Sequence, residues 1–346
     1  VETEVLKRFG GWSHVTTMDG WVFQEVDFSH MDVALLLSVP MHGAMFWGCT
    51  FPAGVTDEDI RHRGAKYVMS NPDFLPFKPL RAFLYTPQEL EEKDLDIYTY
   101  YKGESSVTAK LAYALHDFSM LDAIYDYAEG KTFVGVMGGH AVKRADPSYA
   151  QLVQLGHMVA TAGFICITGG GPGAMEACNL GAYLTAQKNK DHSDSFASVD
   201  MDGFDGPDMN NTEAPRLVIE RFGQPCCFSP SIGVPTWYYG HEPSNMFASY
   251  HAKFFQNSIR EDVLLELCNG GLIIGPGGPG TIQEVFQACC KNAYTRDGIE
   301  YPMVFFGKQF WIDSGVWDVV VKQAKGHVYA DLLLLSDDVH EIVAHV

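Results

Sequence analysis

The stretch Phe164-Ile-Cys-Ile-Thr-Gly-Gly-Gly-Pro-Gly-Ala-Met-Glu176 joins a short apolar run to a glycine cluster and the start of a helical pattern. An apolar run of this length closed by glycine reads as a buried strand entering a turn. Ala174 to Gln187 then reads as a helix. The same order recurs on both sides. Upstream, Thr132-Phe-Val-Gly-Val-Met137 ends in Gly138-Gly139, and a helical segment runs from about Pro147 to Ala162. Downstream, Leu272-Ile-Ile274 leads into Gly275-Pro-Gly-Gly-Pro-Gly280 and a helix over Thr281 to Asn292. Pro302-Met-Val-Phe-Phe306 and a helix from about Ser314 to Lys325 repeat it again. Strand, glycine turn and helix in series predict an α/β fold, a doubly wound parallel sheet of Rossmann type with helices on both faces.

Residues 1–130 have a different texture and are expected to form an N-terminal mixed extension, leaving 131–346 as a nucleotide-binding catalytic domain. Trp21-Val-Phe-Gln-Glu-Val-Asp-Phe28 alternates at about period two, as a strand does, and Gln24 to Val33 faintly suggests stacked five-residue units. Residues 70–104, rich in Pro, Tyr and charge, predict an extended connection. Ser105 to Glu129 predicts a helix with Leu111, Leu115, Phe118, Leu121, Ile124 and Tyr125 largely on one face. Ser105 or Ser106 would cap it and Gly130 would stop it.

The chain has 346 residues, 47% hydrophobic, with a net charge of −19. That balance supports a sizeable core and disfavours nucleic-acid backbones and anionic membranes as partners. A small anion remains compatible, because backbone N–H groups at a helix start hold it locally. The eight cysteines show no CxxC spacing, so neither a zinc site nor a redox dithiol is expected, and they read as buried, reduced residues. Val1-Glu-Thr-Glu4 lacks the basic n-region of a secretory signal, so the expectation is a cytoplasmic protein. The uncharged run from Val33 to Thr56 is broken by Pro40 and Pro52, unlike a membrane helix. Acidic residues between Lys188 and Pro215 read as a solvated loop, and no metal is expected there.

Three glycine turns follow predicted strands, where doubly wound sheets bind ligands. Glycine permits positive φ and lets N–H groups approach a phosphate closely. The candidate phosphate-binding residues are Gly138 and Gly139, then Gly169, Gly170, Gly171, Gly173, Met175 and Glu176, then Gly277, Gly278, Gly280 and Thr281. No Gly-Lys-Ser/Thr follows any turn, which argues against an NTPase. Gly275, Gly277 and Gly280 match G-x-G-x-x-G, but Gly307 and Lys308 stand where a dinucleotide site needs an acid, so hydride transfer is a weak third reading. Glu284 follows Thr281 by three residues, placing both in one helix's first turn, where the dipole would favour the carboxylate. The pair reads either as a catalytic acid beside the turn or as a Thr-x-x-Glu capping box.

Two of these motifs resemble a known family. Pro276-Gly-Gly-Pro-Gly-Thr-Ile-Gln-Glu284 looks like the PGGxGTxxE signature of the LOG-type phosphoribohydrolases, the cytokinin-activating proteins often misnamed lysine decarboxylases, and Gly169 to Ala177 looks like the same family's GGGPGAMEA motif. His241-Glu-Pro-Ser-Asn245 resembles a further family segment. The resemblance covers about Lys131 to the C-terminus. It implies hydrolysis of the N-glycosidic bond of a nucleoside 5′-monophosphate, no cofactor, and a homodimer. It also implies a catalytic Glu and Arg. The Glu maps onto Glu284, while the Arg maps onto Arg260, with Lys253 as runner-up, and Asn245 joins the binding residues. The family's Arg-Lys pair is Arg260-Glu261 here, a departure at the second position. The base would be read by the Gln224–Ser249 region, where Trp237, Tyr238, Tyr239 and Phe247 read equally as a stacking surface or as core. A nucleotide-binding or cofactor-carrying protein without catalysis is the alternative.

Overall fold

The computed structural model describes residues 15–188, 213–225, 230–241, 243, 245–295 and 300–346. The acidic segment after Lys188 and the pair Cys226-Cys227 lie outside the described residues. The chain divides into two compact units, Val1–Leu84 with Asp96–Tyr125, and Tyr85–Leu95 with Asp126–Val346.

The first unit contains a stack of three coils. Strands β1 (Val22–Gln24), β2 (Met45–Trp47) and β3 (Tyr67–Met69) pair in parallel, with Val22 beside Met45 and Met45 beside Tyr67. The repeat is therefore 23 and then 22 residues, not the five-residue unit suggested by the sequence. Equivalent side chains stack between coils: Phe23 lies on Phe46 at 4.9 Å and Phe28 on Phe51 at 5.8 Å. Short helices α1 (Val33–Ser38) and α2 (Asp57–His62) complete the coils, and α2 starts with a capping box between Thr56 and Asp59.

Two expectations fail in the segment that follows. The expected extended connection contains helix α3 (Pro87–Gly103). Leu90, Asp94 and Ile97 are buried at helical spacing, a pattern masked by the surrounding Tyr and charge. Helix α4 (Val107–Ala128) has its start capped by Ser106 Oγ, but its buried face is not the expected one. Of the expected residues Ile124 is fully buried, but Leu111, Leu115, Phe118 and Tyr125 are exposed, while Ala109, Ala112, Tyr113, His116, Met120 and Ala123 are buried. Small residues and rings form the packed side: Phe77 stacks on Tyr113 at 5.8 Å and meets His116 edge-on at 5.5 Å.

The second unit is a doubly wound parallel sheet. Its strands are β4 (Phe133–Met137), β5 (Ile165–Thr168), β6 (Ser231–Gly233), β7 (Tyr250–His251), β8 (Gly271–Ile274), β9 (Met303–Phe305) and β10 (Leu333–Leu335), in the order β10-β9-β8-β4-β5-β6-β7, all parallel. β4, β5 and β8 are wholly buried, which is why they read as continuous apolar runs. The connecting helices are α5 (Pro147–Thr161), α6 (Ala174–Lys188), α7 (Glu213–Phe222), α8 (Asn257–Leu267), α9 (Pro279–Ala293), α10 (Lys308–Asp313), α11 (Val316–Ala324) and α12 (Val339–His345). Strand order reverses between β4 and β8, so the crevice at their carboxyl ends is the topological switch point. No helix among the described residues is long and apolar enough to cross a membrane.

Candidate functional site

The three glycine turns meet at that switch point. Gly139 N–H donates to Pro276 O at 2.8 Å, tying the turn after β4 to the turn after β8. Ala174 N–H donates to Gly139 O at 3.4 Å, tying the first turn to the second. Gly170 and Gly173 have φ of 71° and 74°, the left-handed region in which a side chain is strained. Gly277 is required by space: a Cβ there would lie 2.1 Å from Thr281 Oγ1. Gly278 is the N-cap of α9, Pro279 fills its first position, and Gly280 and Thr281 follow with N–H groups that no preceding helical carbonyl reaches. This cluster of backbone donors at a positive helix end fits a phosphate.

The capping-box reading of Thr281 and Glu284 is not realised, because the helix begins at Pro279 and its cap makes no side-chain bond. Glu284 therefore sits in the second turn of α9, buried. The first turn of α8 brings Arg260 to it. Arg260 Nη1 lies 3.6 Å from Glu284 Oε1 and 2.7 Å from Glu261 Oε1. Arg260 Nε donates to Val234 O, just past β6, at 2.9 Å. The guanidinium also covers the second glycine turn, since a Cβ on Gly169 would lie 3.0 Å from Arg260 Nη2 and 2.8 Å from Met175 Sδ. Arg260, not Lys253, is thus the cation beside Glu284.

Lys253 is buried elsewhere in the sheet edge. Its Nζ lies 2.7 Å from Asp94 Oδ1 and 5.2 Å from the Trp237 ring centre, and Trp237 Nε1 donates to the same Asp94 oxygen at 2.8 Å. His241 Nε2 approaches Asp94 Oδ2 at 3.4 Å. Trp237 and Phe247 are core residues, fully buried, whereas Tyr238 and Tyr239 are exposed.

The expected preference of Glu284 for its charged form is reversed. Burial pushes its carboxyl up to about 8, with Arg260 opposing and the negative charge and hydrogen bond of Glu261 adding to the rise. Desolvation outweighs the helix dipole, which fades beyond the first turn. Burial thus shifts Glu284 toward its neutral, protonated form.

Two other candidates support the turns from beneath. Glu176 is engaged by Arg144, whose Nε and Nη2 each donate at 2.8 Å, and by Tyr149 OH at 2.6 Å. Its carboxylate is held by this buried pair. Asn245 Nδ2 donates to Asn179 Oδ1 at 2.9 Å, and Thr168 Oγ1 donates to the same oxygen at 2.7 Å while accepting from Gly170 N–H. Asn245 thereby braces the second turn. The sequence did not single out Asn179, Arg144 or Tyr149, since residues of these types carry no local signal of a distant partner. Among the described residues, no group of three or more His, Cys, Asp or Glu side chains is placed to hold a metal ion.

Residues 131–187, which span the first two turns, match the model of the SLOG cluster4 family. Solved structures similar to the chain include the molybdenum cofactor binding protein of Rippkaea orientalis, at 15% identity and a TM-score of 0.38, covering 62% of this chain and 95% of that one. The molybdenum cofactor carrier protein of Chlamydomonas reinhardtii matches at 20% identity and a TM-score of 0.36, covering 62% and 94%. Among curated proteins, none matches this chain.

Proposed function

We propose that this SLOG-type protein is a nucleoside 5′-monophosphate phosphoribohydrolase. The observation that supports it is the Arg260–Glu284 pair, 3.6 Å apart, beside the convergent glycine turns. The turns would hold the 5′-phosphate, and that remote binding would position the sugar. Glu284, protonated at neutral pH, would give its proton to the base nitrogen as the C1′–N bond breaks and its electron pair leaves with the base. The resulting carboxylate would face the oxocarbenium-like sugar, and water adding to C1′ would return a proton to Glu284. Arg260 would hold phosphate or ribose oxygens. The reading includes a cytoplasmic homodimer acting without a cofactor.

A second reading, binding of a nucleotide or nucleotide-linked cofactor without cleavage, is favoured by one feature. Arg260 is closer to Glu261 than to Glu284, and its Nε is already used by Val234 O. Purified protein incubated with AMP, GMP, CMP, UMP and isopentenyl-AMP separates the two. Release of ribose 5-phosphate, abolished in Glu284→Gln with binding retained, supports the hydrolase. Calorimetric binding with no release from any of them supports the second reading.

A further inference from the structure

Helix α8 contributes two adjacent residues to this site, and both are buried. Neighbours on a helix point about 100° apart, so both reach one place only where a long side chain turns back. Arg260 does so, and its Nη1 serves two carboxyls at once: Glu261 Oε1 at 2.7 Å and Glu284 Oε1 at 3.6 Å. Glu261 Oε1 also accepts from Asn257 Nδ2 at 3.3 Å, and Asn257 Nδ2 donates to Tyr239 OH at 2.9 Å. Glu261 Oε2 is different. It is buried and receives no hydrogen bond from the described residues.

Two penalties accompany two ionised carboxylates here: a buried oxygen without a donor, and like charges sharing one guanidinium. A single proton removes both. A side-chain hydrogen bond with Glu261 is among the causes that raise Glu284, so a proton on Glu284 gives Glu261 a donor. Among the described residues the Cys268 thiol also senses the Glu284 charge, and burial pushes it up to about 12 and keeps it neutral.

We propose that Glu261 is a positioning residue of this site: its Oε1 anchors the Arg260 guanidinium, its other oxygen accepts from protonated Glu284, and the two carboxyls work as one acid pair. This assignment rests on the hydrolytic reading only for the step that the pair serves. In that step Glu284 spends its proton on the leaving base and recovers one from water, while Glu261 holds Arg260 in place and keeps Glu284 protonated beforehand.

The test is a pH titration of the full chain with 13C-labelled glutamate carboxyls, followed by NMR. In the unaltered protein one glutamate titrates near pH 8, and that signal is absent in Glu284→Gln. In Glu261→Gln the negative neighbour is gone and Arg260 is free to pair with Glu284. The midpoint then falls by about one pH unit or more, a tenfold or larger loss of proton affinity. Glu261→Asp, which withdraws the carboxylate by one methylene, gives a partial fall and serves if Glu261→Gln does not fold. The alkaline limb of kcat/KM moves down with the midpoint in each variant. A Glu284 midpoint unmoved in both variants overturns the proposal. A moved midpoint in a protein that cleaves no nucleotide leaves the acid pair standing and removes the hydrolytic reading alone.

Discussion

Replacing Glu284 by Gln should make the second unit more stable, by an amount that grows with pH. An unfolded glutamate loses its proton near 4.5, whereas the folded site keeps it to about 8. Between these values the folded state binds the extra proton, so stability falls as pH rises. The contribution is complete below 4.5, declines through the interval and is flat above 8. Each pH unit crossed is worth about 1.4 kcal/mol, so the loss is about 3 kcal/mol at pH 7 and about 5 kcal/mol above pH 8. Gln fills the same space, stays neutral at every pH and escapes the loss. Hydrogen exchange of the α9 amides in graded denaturant measures this locally, which suits a chain with two compact units. Comparing the two proteins at the same pH cancels the intrinsic exchange rate. The gap should be about 0.7 kcal/mol at pH 5 and several kcal/mol at pH 8.5. A gap that is constant over this range, or a less stable Glu284→Gln protein at pH 8.5, would refute the argument.

AMP affinity should fall about tenfold between pH 7 and 9, because ionised Glu284 adds negative charge beside the phosphate. Calorimetry should show this fall in the unaltered protein and not in Glu284→Gln. Gly277→Ala places a Cβ 2.1 Å from Thr281 Oγ1 and must shift the start of α9, so AMP binding should weaken by tenfold or more. Lys253→Met leaves Asp94 buried without its cation and should cost about 3–5 kcal/mol in denaturant unfolding, while Lys253→Met combined with Asp94→Asn should recover most of it.

The sheet was legible in the sequence because its central strands are buried on both faces, so Thr132–Met137, Phe164–Thr168 and Leu272–Ile274 stand out as apolar runs closed by glycine. β7 is two residues long and β10 is only half-buried, and neither produces such a run. Helix α3 was hidden because its buried positions include Asp94, a charged residue whose partners, Lys253 and Trp237, lie about 150 residues later. α4 was misread because apolar residues occur on both of its faces, and periodicity cannot say which one packs. At the site, the glycines and Glu284 were identifiable by local pattern. The protonation of Glu284 was not, since it depends on burial and on Glu261 from another helix.

On the proposed reading, the charge balance of the site accounts for how a chain of net charge −19 would receive a phosphate. Backbone N–H groups supply the attraction through the turns and the start of α9, independently of surface charge. Around them stand one guanidinium and two carboxyls. With both carboxyls ionised, the immediate surroundings would carry a net negative charge and oppose the ligand. Burial of Glu284 prevents this by holding a proton there, and Glu261 reinforces it, so Arg260 is balanced by a single charge. The desolvation that lowers the stability of the fold above pH 4.5 is therefore the same effect that would keep the proposed anion site open at neutral pH. On the proposed hydrolytic reading, that same proton is the one Glu284 would give to the leaving base.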